Sequence, residues 1–153
     1  MYFEDLQVGA EFVSQGRTVT EADIVAFAGI SGDFNRLHTD ETWVTANTGF
    51  RGRIAHGLLV TSIVSGLPTP GLDELEIIAY LEVTRKMREP VYPCDTIHAR
   101  NTVTEVRPRR SSDDSGIVAV EVTVLNQDGT AVHQGTDVIL VARDPVKRED
   151  GPR

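Results

Sequence analysis

Only one cysteine, Cys94, stands in the 153 residues, so no disulfide can form within the chain and a reducing compartment is expected. Basic side chains are the scarcer sign. Fifteen Lys and Arg face 23 Asp and Glu, and the resulting formal charge of −8 repels a phosphate backbone, so no nucleic acid partner is expected. Long apolar runs are missing as well. The best, Leu58 to Val64, is far short of the roughly 20 residues of a membrane span and holds Thr61 and Ser62. The opening MYFEDLQVGAEF carries acids where a secretory or mitochondrial leader carries basic residues, which makes a cytoplasmic protein the expectation. What the chain does have is a 40% hydrophobic share, enough for a real core, at the usual length of one domain.

The first half carries helix signals and the second half strand signals, with Pro68, Pro70 and Gly71 at the change. Thr18-Val19-Thr20-Glu21 has capping-box spacing and precedes Ile24, Val25, Phe27 and Ala28, which predicts a short amphipathic helix stopped near Gly29 and Gly32. Asp40 to Asn47 predicts a second, with Asp40 in its first turn, where its charge suits the helix dipole. Gly57 to Leu67 is apolar on nearly every side, so as a helix it is expected to be buried all round. Leu75 to Met87, Thr96 to Val106, Gly116 to Asn126 and Thr130 to Val141 are rich in β-branched residues, and Asp128-Gly129 joins the last two as a hairpin. A buried helix followed by antiparallel strands implies an α+β domain, one sheet curled around one helix.

Reactive side chains concentrate in Ser31-Gly-Asp33-Phe-Asn35-Arg36-Leu-His38-Thr-Asp40. On a regular helix Asp33 and His38 stand five residues apart, roughly 140° around the axis, and cannot share a substrate. Gly32 and Asn35 favour a bent loop that turns both side chains onto one water, the geometry of general acid–base chemistry. A second cluster, Arg53-Ile-Ala-His56-Gly57, places a glycine at the start of the buried helix. The first N–H groups of a helix lack internal partners and can hold a developing oxyanion, and glycine admits a close approach.

SGDFNRLHTD followed by GFRGRIAHGLLVTSIVSGL resembles the MaoC-like (R)-specific enoyl-CoA hydratases and dehydratases, from about Val8 to Val141. The resemblance implies a hotdog domain over 1–145, with 146–153 left as a polar tail. It implies Asp33 and His38 as the catalytic pair on water, Asn35 in the motif asparagine's place, and the Gly57 N–H on the thioester oxygen. Ser65, further along the helix, falls where the family has a serine that supports the catalytic loop. His56 reads as a residue that holds the turn before Gly57. Arg36 stands where the family usually has proline, and a guanidinium there suits a phosphate or carboxylate of the substrate. His38, Asp40 and His56 lack the spacing of metal ligands, so no metal is expected. His98 and His133, within strands, read as surface or packing residues. Arg85, Lys86, Arg88 and Arg107 to Arg110 are candidates for coenzyme A phosphates, or simply solvated.

The implied activity is reversible addition of water to a trans-2-enoyl-CoA, giving an (R)-3-hydroxyacyl-CoA. Coenzyme A or an acyl carrier enters as part of the substrate, with no separate cofactor. A hotdog thioesterase and a non-catalytic acyl-thioester-binding subunit are the competing readings. Edge-to-edge pairing of sheets makes a homodimer the expected minimum.

Overall fold

Thr20, not Thr18, starts the first helix. In the computed structural model, which describes residues 1–146, Thr18 belongs to the two-residue strand β2 (Arg17–Thr18), where its hydroxyl shares a 2.8 Å hydrogen bond with that of Thr96. The Thr20 side chain accepts from Asp23 N, and Asp23 Oδ2 accepts from Thr20 N at 2.8 Å, so the capping box sits two residues later than the sequence suggests. Helix α1 (Glu21–Ser31) runs through Gly29 and stops at Gly32, whose φ of 75° is the left-handed cap that glycine adopts without a Cβ penalty. Then follow the single turn α2 (Arg36–Thr39), α3 (Glu41–Asn47) and α4 (Gly57–Ser65). Asp40 is the N-cap of α3, accepting from Trp43 N at 2.9 Å.

The strands β1 (Glu11–Val13), β3 (Ile77–Val83), β4 (Lys86–Met87), β5 (Thr96–Pro108), β6 (Ser115–Leu125) and β7 (Ala131–Ala142) join β2 in one antiparallel sheet. Its order is β1-β5-β6-β7-β3, with β2 against β5 and β4 against β7. Val118, Val120, Val122 and Val124 alternate along β6 and are all buried. They form one core with Leu59, Val60, Ile63 and Val64 of α4, and burying each such side chain contributes about 2 kcal/mol. The predicted strands and the Asp128-Gly129 turn are found, and the sheet curls around α4 as the resemblance implies.

Helix α4 is not buried all round. Leu58 is 65% exposed, and Ser62 and Ser65 are exposed beside it. The sheet covers one face only, and the hydroxyls on the other turn back to their own helix, Ser62 Oγ to Leu58 O and Ser65 Oγ to Ser62 O, each at 2.8 Å.

Between β3 and β4, which pair with the same edge of β7 in one register, the chain bends in against Gly135. A Cβ on Gly135 would run into the Thr84 carbonyl, lying 2.6 Å from its carbon and 3.0 Å from Arg85 Cα. Arg85 is thereby tucked under the sheet edge and pairs with Asp137, Nη2 to Oδ2 at 2.9 Å. It is not free for a phosphate. Continuing in that register, β4 has Met87 opposite His133 and against Gly57. Among the described residues no helix is long and apolar enough to cross a membrane. Of the tail at 146–153 only Val146 is described; the rest lies outside the described residues.

Candidate active site

Two backbone-tethered histidines join the two sequence clusters. His38 Nδ1 lies 2.7 Å from Ile54 O and His56 Nε2 lies 2.9 Å from Asp33 O. A carbonyl only accepts, so each of these nitrogens carries the proton and donates it. In the neutral rings the lone pairs then fall on the other nitrogens: His38 Nε2 on the side of Asp33, and His56 Nδ1, which is buried with no partner. The rings stack with centroids 3.7 Å apart, and Phe27 closes against His56 at 5.1 Å. His56 thus ties the Asp33 backbone to the turn before Gly57.

The bend that the chemistry requires is made by short polar side chains. Ser31 Oγ accepts from Asp33 N, Asp33 Oδ1 from Asn35 N, and Asn35 Oδ1 from Leu37 N. Asn35 is therefore the N-cap of α2, and its contribution to the site is the turn. His38 sits on that helical turn while Asp33 stays in the bend before it, which leaves Asp33 Oδ2 3.9 Å from His38 Nε2. The carboxylate is 52% exposed and the imidazole 11%. Arg53 braces the cluster from outside. Its guanidinium bonds Glu21 at 2.6 and 3.0 Å and Glu41 at 3.1 Å. The hydrogen bond to Glu21, with that to Glu41, raises the Arg53 pKa, and Glu41 is held below the usual carboxylate range chiefly by the Arg53 N–H.

Asp33, His38 and Gly57 open onto one cavity of about 580 Å³, with Phe27, Phe50, Val60 and Met87 among its walls. Gly57 is the first residue of α4, and His56 before it offers no side-chain cap, so the leading N–H groups of the helix are without helical partners. A notional Cβ on Gly57 would lie 2.7 Å from Met87 Cε. Side-chain bulk is excluded where the N–H faces the cavity.

Two expected site residues lie elsewhere. Ser65 does not line this cavity, and its hydroxyl is spent on Ser62 O, two turns of α4 away from Gly57. Arg36 turns outward to Asp40, at 4.0 Å, and over the Trp43 ring, at 5.6 Å. A helical turn at Arg36–Thr39 points residues 36 and 38 in different directions, and His38 takes the inward one. Asp33, His38 and His56 do bring candidate ligand atoms within 4.8 Å of one another. With His56 Nε2 donating to Asp33 O and its Nδ1 sealed in the core, only the carboxylate and His38 Nε2 are left to a ligand, fewer than the three or four that a zinc site uses.

His133 goes beyond its sequence reading. It is only 2% exposed, yet it lines the cavity, and Nδ1 has no hydrogen-bond partner. Burial, with the Arg85 charge behind it, lowers its pKa from 6.5 to about 4. Because the unfolded chain takes up this proton first, stability falls with acidification between the two values. The loss from pH 7 to pH 5 is about 2 kcal/mol, and His133→Leu flattens that part of the curve. Urea denaturation of both proteins at the two pH values checks it; equal slopes would contradict the assignment.

A curled antiparallel sheet wrapped on one helix defines the hotdog class of fold. A Mycobacterium tuberculosis protein described as a double hotdog superposes with a TM-score of 0.81 at 24% identity, over 100% of this chain and 46% of its own. Within that class the chain belongs to the MaoC-like domain family, whose model matches residues 5–126. It is 37% identical over 114 residues, 71% of this chain and 74% of the relative, to an (R)-specific enoyl-CoA hydratase of Rhodospirillum rubrum. The crystal structure of a MaoC-like dehydratase from Rhodospirillum rubrum matches with a TM-score of 0.80 at 29% identity, covering 95% of this chain and 99% of that one. The chain is accordingly an enzyme of the hydro-lyase type.

Proposed function

We propose that the protein hydrates trans-2-enoyl-CoA thioesters to (R)-3-hydroxyacyl-CoA and runs the reverse dehydration at the same site. The observation that carries this reading is the pairing of Asp33 Oδ2 and His38 Nε2 at 3.9 Å beside the Gly57 end of α4 in one apolar cavity. That separation is too long for a direct hydrogen bond and suits two groups that grip one water between them. His38 Nδ1, held as a donor by Ile54 O, leaves Nε2 basic. It takes a proton from the water as the oxygen adds to the β-carbon. Charge moves to the thioester oxygen, which the Gly57 N–H and the helix dipole stabilise. Asp33 orients the water, and the coupled pair returns a proton to the α-carbon.

Coenzyme A or an acyl carrier serves here as part of the substrate, and no metal or redox cofactor takes part. The working form in this reading is a homodimer. Strand β3 is a sheet edge, and Ile78, Tyr80, Leu81 and Val83 on it are each about half exposed, with Ser62 and Ser65 of α4 beside Tyr80 and Val83. An open, apolar edge of this kind is where a second copy adds its own sheet.

The test is the loss of enoyl absorbance on a panel of trans-2-enoyl-CoA thioesters, with free thiol assayed in the same samples. Hydration without thiol release is the expected result. Thiol release makes the protein a thioesterase, and binding without turnover makes it a carrier subunit. Gly57→Ala is expected to lower kcat about a hundredfold, the scale of a lost oxyanion contact, while Met87, half exposed and flexible, yields enough space for folding. A double variant with Met87→Ala separates crowding by Met87 from crowding at the oxyanion; full recovery in it would remove Gly57 from the mechanism.

A further inference from the structure

His133 is a polar group set into the wall of a cavity that is otherwise mostly apolar, and the acid–base mechanism makes no use of it. Its place follows from register. On β7 it pairs with Val124 of β6 on one side and with Met87 of β4 on the other, and paired residues of neighbouring antiparallel strands point to the same face. Val124 faces the core, so the imidazole does too. Met87 reaches from His133's neighbouring position to within contact of Gly57, so the imidazole stands one side-chain layer beyond the oxyanion end of the cavity. An acyl chain that passes Met87 meets His133 within a few bonds of its β-carbon.

The ring is 2% exposed and its Nδ1 is sealed from water without a partner. Leaving a lone pair unpaired in the interior is cheaper than leaving an N–H unpaired, which puts the proton of the neutral ring on Nε2. Burial, with the charge of Arg85 behind it, disfavours a second proton on the ring. Nε2, unlike Nδ1, is not sealed from the cavity that His133 lines and has no hydrogen-bond partner among the described residues, so it is the nitrogen that favours a ligand atom that accepts.

Resting on the hydratase reading above, we propose that His133 is a specificity-determining residue that donates from Nε2 to an acceptor oxygen on the acyl chain, so that the preferred substrates are enoyl thioesters bearing an ether, carbonyl or hydroxyl oxygen rather than plain alkyl ones. The physical basis is asymmetric. An acyl chain that carries the oxygen satisfies the donor, whereas an alkyl chain of the same shape covers it and leaves it unpaired, the situation in which polar sites discriminate more strongly than apolar ones.

The experiment compares kcat/KM for straight-chain trans-2-enoyl-CoA thioesters with isosteres in which one methylene is an ether oxygen, placed in turn at the fifth, sixth and seventh chain positions. In the wild-type protein one of the ethers is expected to exceed its alkyl counterpart by about tenfold or more. His133→Leu is expected to erase or invert that ratio mainly by raising activity on the alkyl chain, and His133→Gln, which keeps a donor, to restore part of it. Because the ether changes the intrinsic reactivity of the enoyl group equally for every variant, the change in ratio between wild type and His133→Leu is the decisive quantity. Turnover with a ratio that His133→Leu leaves unchanged overturns the role of His133 and leaves the hydratase reading standing. No turnover of any thioester by the folded wild-type protein overturns both.

Discussion

His38→Ala is expected to lower kcat for enoyl thioester hydration about a thousandfold, and Asp33→Asn by about a hundredfold or more, the scale of a lost general base and of its water-orienting partner. The two substitutions differ in what else they touch. Asparagine keeps an oxygen for the Asn35 N–H that Asp33 Oδ1 accepts, so the bend at residues 33–35 survives and the change isolates the charge. Alanine at 38 removes the bond to Ile54 O and the stacking on His56, which costs about 1 kcal/mol of stability as well as the base. His38→Gln is the control that keeps a polar side chain there. Steady-state kinetics with thermal melts of each variant separate the two effects; a folded His38→Ala protein within tenfold of wild-type activity would remove the imidazole from the mechanism.

Gly135→Ala is expected to cost at least about 3 kcal/mol of stability, or to prevent folding, because the obstacle is main chain. The new methyl would meet the Thr84 carbonyl and come within 3.0 Å of Arg85 Cα, in a segment held down by Thr84 N to Thr136 O at 2.9 Å and by the Arg85 pair with Asp137. Relief requires lifting the bend at Thr84–Arg85 off Gly135, which moves Met87 away from Gly57. By contrast Gly29→Ala, in the last turn of α1 with nothing within 4 Å of the added methyl, is expected to stabilise the helix by about 0.5 kcal/mol. Chemical denaturation of the pair tests the contrast, and two equal changes would contradict it.

The long strands were readable because Val, Ile and Thr alternate where one side of the sheet faces the core, and Asp128-Gly129 marks its turn locally. The start of α1 was two residues off because Thr18 and Thr20 both precede an acid at the capping distance, and only pairing of Thr18 with Thr96 across the sheet decides between them. The exposed face of α4 was hidden by its composition, since Leu58 looks like core and only the sheet's reach shows it uncovered. Asp33, His38 and Gly57 were legible as ordered motifs, and their convergence rests on the His56 tether, which joins residues 23 positions apart. Ser65 matched a family position and Arg36 replaced the usual proline, but the side chains of both follow the helix turn they sit on. His133 carried no local signal at all: its place in the cavity depends on the register of β7 with β6 and with β4.

The configuration at the new hydroxyl tests the central claim most directly. In the proposed mechanism one fixed pair, Asp33 and His38, delivers water to one face of a double bond whose thioester oxygen is held at Gly57, so a single enantiomer is expected. Wild-type protein with a trans-2-enoyl-CoA is expected to give only the (R)-3-hydroxyacyl-CoA, resolved by chiral chromatography. An (S) or racemic product, or free coenzyme A in its place, contradicts the account.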